Sequence, residues 1–109
     1  MDEKRKEKRV PVNWPIRLSG ENGVVNGFVK NISLEGLLVC CEDPISLNEN
    51  ISIDIFPPNC KAINLVGKPV WSDLYGLDLN MDGATVCIGI SFIQLAMKDR
   101  HILKAIIEM

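Results

Sequence analysis

An all-β domain, an antiparallel barrel or sandwich of six strands followed by one helix, is what this sequence predicts, and three observations predict it. Apolar residues recur at every second position in short runs, the period of a strand with one buried face. Turn-forming residues separate the runs. Only the tail changes to helical period, which leaves no crossover helices for a parallel sheet. With 109 residues, 47% hydrophobic and 24% charged, the chain has the composition of a single globular domain.

The first run is Val10, Val12, Trp14, Ile16 and Leu18, alternating with Pro11, Asn13, Pro15 and Arg17. Its two prolines lie on the outward phase and cannot donate to a ladder, which puts that stretch at an edge or beside a bulge. Ser19 to Gly23 forms a turn. Val24 to Ile32 alternates as the second strand, the polar stretch Asn31 to Gly36 interrupts it, and Leu37 to Cys41 resumes as the third. Glu42 to Asn50 is a loop. Ile51, Ile53 and Ile55 make the fourth strand, stopped by Pro57-Pro58-Asn59. Lys61 to Trp71 is the fifth, with a bend near Gly67 and Pro69; Ser72 to Gly83 is an irregular or hairpin excursion, and Ala84 to Ile93 is the sixth. Between Met97 and Glu108, Ile102, Leu103, Ile106 and Ile107 share one face of an amphipathic helix that closes the barrel.

The net charge of −2 is unevenly placed. Residues 4 to 9 read Lys-Arg-Lys-Glu-Lys-Arg, five basic and one acidic, leaving seven of the twelve basic residues against thirteen of the fourteen acidic ones. An acidic body argues against a nucleic-acid polymer, whose binders carry a basic footprint over a whole face. The six aromatic residues, Trp14, Phe28, Phe56, Trp71, Tyr75 and Phe92, are few for a single-strand stacking platform. A small anion fits the basic leader. No run approaches the roughly 20 apolar residues of a membrane helix, and Met1 opens onto charges instead of an apolar signal segment. A cytoplasmic protein without membrane insertion is expected.

Cys40, Cys41, Cys60 and Cys87 include no C-x-x-C pair, and the one histidine, His101, lies far along the chain, so zinc spacing is missing. Cys40 and Cys41 point to opposite faces of an extended strand. All four are expected as plain buried or half-buried thiols. Catalytic constellations are equally scarce. His101 sits among polar helix positions, and Glu42-Asp43 and Asp78/Asp82 fall in turns, where carboxylates are solvated or bonded to backbone. Walker-type loops, G-x-G-x-x-G and G-x-S-x-G do not occur. A non-enzymatic protein without metal or cofactor is expected.

Two features rise above this background: Arg5-Lys-Glu-Lys-Arg9, two arginines four apart just before a strand, and Asn31-x-Ser33-x-x-Gly36 between two strands. Each alone reads as ordinary, the first as a solvated leader, the second as turn formers. Together and in this order, the chain resembles the PilZ domain family, whose members bind the bacterial second messenger cyclic di-GMP through R-x-x-x-R and [D/N]-x-S-x-x-G motifs. The resemblance runs from about Arg5 to Ile107. Val-Gly-Lys-Pro-Val-Trp71 looks like the family's strand ending in tryptophan, and Ile88-Gly-Ile-Ser-Phe92 like its strand before the closing helix. The resemblance implies a six-stranded antiparallel barrel with a C-terminal helix, residues 10–109, preceded by a flexible basic arm, residues 1–9, that carries R-x-x-x-R. Where the family often has glycine before the fourth strand, this chain has Asn50, and asparagine tolerates the left-handed conformation better than other non-glycine residues.

The ligand-binding residues implied by the resemblance are Arg5, Arg9, Asn31, Ser33, Gly36 and Trp71. A guanidinium can pair with phosphate, donate to guanine O6 and N7, or stack on a base, whereas lysine does only the first well. Arg5 and Arg9 are thus the candidates, with Lys4, Lys6 and Lys8 raising local anion concentration. Asn31 and Ser33, two apart in extended chain, are expected to share a face and address one guanine edge. Gly36 either lets backbone approach the ligand or supplies a positive φ. Trp71 either stacks a purine or fills the barrel rim. The favoured function is a cyclic di-GMP receptor that relays messenger level to an unknown partner protein by ordering its arm. The alternative is an interaction adaptor for motility, pilus or surface machinery that keeps the barrel without the ligand; the intact motifs favour the receptor.

Overall fold

A computed structural model of the chain describes residues 8–21, 23–43, 45–75 and 85–108. The alternating runs become β1 (Val10–Gly20), β2 (Gly23–Ile32), β3 (Gly36–Cys41), β4 (Ile51–Ile55), β5 (Ile63–Tyr75) and β6 (Thr85–Leu95), followed by α1 (Met97–Ile107). Every strand pair is antiparallel. The order β1-β2-β3-β6-β5-β4 closes on itself because β4 returns to β1, so the fold is a barrel and not a sandwich.

Alternation places the inward residues in one core: Ile16 and Leu18 of β1, Val29 of β2, Leu37 and Val39 of β3, and the three isoleucines of β4, with Ile32 of β2 brought to the same side by the register shift after Val29. β5 adds Ile63 and Leu65, and β6 adds Val86, Ile88 and Ile90. Burying each such side chain contributes about 1.5–3 kcal/mol. The prolines of β1 behave as their chemistry requires. The β1–β2 register shifts between Pro11 and Trp14, and β1 meets β4 only over Ile16–Ser19. The proline-bearing stretch therefore pairs as a strand with β2 alone, and on the β4 side the Pro15 carbonyl only accepts, from the Phe56 N–H at 3.0 Å, which asks no donor of the proline.

The helix docks with Leu103 and Ile107 fully in the core and Ile106 partly so. Ile102 is 37% exposed, which corrects its expected place on the buried face. Leu103 and Ile107, four apart, centre the stripe, and Ile102 lies about 100° around the helix from Leu103. The left-handed residue of the loop before β4 is Asn48, with φ 68°, not Asn50. A second asparagine, Asn59, has φ 61° in the turn after the prolines. Ser72 to Tyr75 are not irregular. They continue β5 and pair with β6 down to Tyr75↔Thr85, and residues 76–84 of the expected excursion lie outside the described residues.

The cysteines need a larger correction. Cys40 and Cys87 form a disulfide across β3 and β6. The two are direct register partners with Cα atoms 4.2 Å apart. Forty-seven residues separate them in sequence, so only strand pairing reveals the contact. Cys41, pointing the other way, is buried and donates to the Asp43 carbonyl at 3.2 Å. Burial pushes its thiol pKa up against the opposing pull of that hydrogen bond. Cys60 is exposed. Iodoacetamide at mildly alkaline pH should therefore modify Cys60 on the native protein and reach Cys41 only after unfolding. Two or more additions on the folded chain, read by intact mass, would contradict this assignment.

Candidate functional site

Closure of the barrel brings the start of β1, the end of β2, the start of β3 and the middles of β5 and β6 to one place. Arg9 directly precedes β1, whose first residues pair Val10↔Ile32 and Pro11↔Asn31. It therefore emerges beside the end of β2, and its Nη1 donates to Asn31 Oδ1 at 2.8 Å. The β2–β3 register shifts between Val29 and Asn31, an irregularity of the kind that re-aims a side chain.

The loop after β2 is built on Ser33. Its N–H donates to the Gly36 carbonyl at 2.9 Å. Its Oγ accepts from the N–H groups of Glu35 and Gly36 at 3.1 and 3.2 Å and lies 3.3 Å from the Gly36 carbonyl as donor. This is a hydroxyl-organised turn. The Glu35 carbonyl accepts from the Phe92 N–H at 2.9 Å, which ties the loop to β6. Ser33 is 0% exposed. The expectation that Asn31 and Ser33 share one face is thereby corrected. β2 ends at Ile32, so the two-residue rule for strands does not reach Ser33, whose side chain shapes the loop from beneath.

The positive φ offered as one role for Gly36 is not found, and the structure shows a packing requirement instead: a Cβ there would run into the Ile90 carbonyl of β6. Glycine is needed because β3 lies too close to β6 for a side chain. Gly89 makes room in the same way for Trp71. The two are register partners, and a Cβ on Gly89 would collide with indole Nε1 and Cε2. The indole thus rests on bare backbone while 44% of Trp71 stays exposed.

Arg9, Asn31, Glu35, Gly36 and Trp71 line one open pocket of about 380 Å³, with Leu37, Leu38, Val70 and Ile90 as its apolar wall and Gly89 and Ser91 completing it. It offers a guanidinium, an amide and an exposed aromatic face over an apolar floor, the chemistry that suits an anion bearing a flat base. Of the six residues singled out in the sequence, Arg9, Asn31, Gly36 and Trp71 meet at this pocket and Ser33 lies behind it. Arg5 lies outside the described residues. Glu35, Gly89 and Ser91 were not singled out. Glu35 occupies an unspecified position inside the second motif, and Gly89 and Ser91 belong to the β6 landmark, so the signal for all three was adjacency alone.

Comparison with known proteins gives a family and a fold. A family model for the PilZ domain matches residues 3–109. Among curated protein sequences, none matches the chain. The PilZ domain with c-di-GMP of YcgR from Escherichia coli superposes with a TM-score of 0.81 at 12% identity, over 97% of this chain and 90% of that one. The Bacillus subtilis inhibitor of motility, MotI/DgrA, gives 0.78 at 15% identity, over 97% of this chain and 50% of that one. The K. pneumonia MrkH-c-di-GMP complex gives 0.79 at 16% identity, over 95% and 51%. The chain thus spans about half the length of the latter two proteins. Among the described residues, no helix is long and apolar enough to cross a membrane.

Proposed function

The chain belongs to the PilZ domain family, and from that premise we propose that it is a receptor for cyclic di-GMP, the ligand present in the YcgR and MrkH structures it resembles. The observation that carries this reading is the Arg9–Asn31 hydrogen bond at the wall of a pocket that also presents the Trp71 indole. Cyclic di-GMP carries two phosphates and two purines. Arg9 supplies a planar donor fork for a phosphate or for guanine O6 and N7, and the exposed indole supplies a stacking face. Gly36 and Ser33 serve the ligand by keeping β3 and its loop in place. Arg5, four residues earlier in the same motif, supplies the second guanidinium in this reading.

In this reading residues 1–9 act as an arm that closes over the bound ligand, and the closed arm is the signal that a partner protein reads. Fixing each arm residue costs roughly 1–2 kcal/mol, which the charge-assisted contacts of the arginines must offset. Structural relatives of this fold include an inhibitor of motility and a transcription regulatory factor. Calorimetric titration of the purified chain should show saturable binding of cyclic di-GMP and none of GTP. A folded sample that ignores cyclic di-GMP well above micromolar concentration ends the proposal.

A further inference from the structure

We propose, resting on the receptor reading, that Glu35 is the residue that selects guanine, its carboxylate accepting N1–H and N2–H of one ligand base and so excluding the adenine analogue. The Watson–Crick edge of guanine places two donors side by side next to the O6 acceptor. A pair of adjacent donors is met best by a carboxylate, which has an acceptor oxygen for each. Asn31 is poorly suited to that task. Its single amide oxygen already accepts from Arg9 Nη1 at 2.8 Å, and its other terminal atom is a donor. Arg9 only donates. Among the described residues that line the pocket, Glu35 is the one carboxylate.

The backbone of Glu35 is held from both sides, its N–H by Ser33 Oγ at 3.1 Å and its carbonyl by the Phe92 N–H at 2.9 Å. The side chain is exposed at the pocket rim. The held backbone anchors Glu35 at the rim, and its solvent-facing carboxylate can meet a ligand base there without burial of an unpaired charge. Adenine would present its N1 lone pair to the same carboxylate, an acceptor facing an acceptor, so one group both attracts guanine and repels adenine. The opposing effect is repulsion between this carboxylate and the ligand's phosphates. The two effects predict opposite signs for removal of the charge.

The test is calorimetric titration of the wild-type chain and Glu35→Gln with cyclic di-GMP and with cyclic di-AMP, after melting curves establish that both chains fold alike. Losing one of the paired acceptor bonds should weaken cyclic di-GMP about 5- to 100-fold and leave cyclic di-AMP unchanged or tighter. Binding of cyclic di-GMP by Glu35→Gln that equals or exceeds wild type would overturn the assignment, since that is the result of a carboxylate that merely repels phosphate. Equal weakening of both dinucleotides would overturn it as well, by showing a role in shaping the loop. A wild-type chain that binds neither dinucleotide fails differently, because it removes the receptor reading itself along with the inference.

Discussion

Replacing Arg9 with alanine should abolish measurable binding of cyclic di-GMP. Truncating one member of a hydrogen-bonded charged contact costs about 2–5 kcal/mol, which is roughly 30-fold to several thousand-fold in affinity. Arg9 stands at the high end of that range for two reasons. It is the guanidinium that the structure places on the pocket wall, and its bond to Asn31 aims the Asn31 amide, so its loss disturbs a second polar group. Arg9→Lys separates charge from geometry. An ammonium keeps the positive field but has no planar fork, so the lysine variant should recover only a small part of the affinity. Melting temperature without ligand should change little in either variant, because Arg9 precedes β1 and lies outside the core cluster. Affinity within twofold of wild type for Arg9→Ala would remove this residue from the site.

The second large effect is on stability. Gly36→Ala should lower the melting temperature, because its Cβ would meet the Ile90 carbonyl and a backbone atom of a paired strand cannot move aside without opening the β3–β6 ladder. Overpacking of this kind costs about 1–3 kcal/mol, or on the order of 10 °C in a domain this size. Thermal unfolding checks it directly. An unchanged melting temperature together with lost ligand affinity would return Gly36 to the role of a glycine that admits the ligand. Ligand added to the variant should still raise its melting temperature by mass action, which separates a weakened fold from a destroyed site.

Some parts of the site were legible in the chain because their chemistry is local. Arg5-x-x-x-Arg9 and Asn31-x-Ser33-x-x-Gly36 are sequence features in their own right, and Arg9, Asn31 and Gly36 do line one pocket. The role of Ser33 is not legible, because strand alternation stops with the end of β2 at Ile32, where a hydroxyl turn takes over. Glu35 carries no signal beyond its place inside the motif, since a glutamate in a polar loop is ordinary until its loop is tied to β6 through Phe92. The disulfide was hidden for a similar reason. Cys40 and Cys87 become neighbours only when β3 and β6 pair in one particular register.

The sequence by itself determined the number of strands, the one helix and most of the core. Period-two alternation and turn residues act over a few bonds, and burial of the apolar phase follows from them whatever the strand order. Only the tertiary structure decided which strands touch, and so which glycines must lack a side chain, which cysteines bridge, and which carboxylate shares a pocket with Arg9. Those outcomes depend on distances between segments far apart in the chain, and local patterning sets the faces of strands without setting their neighbours.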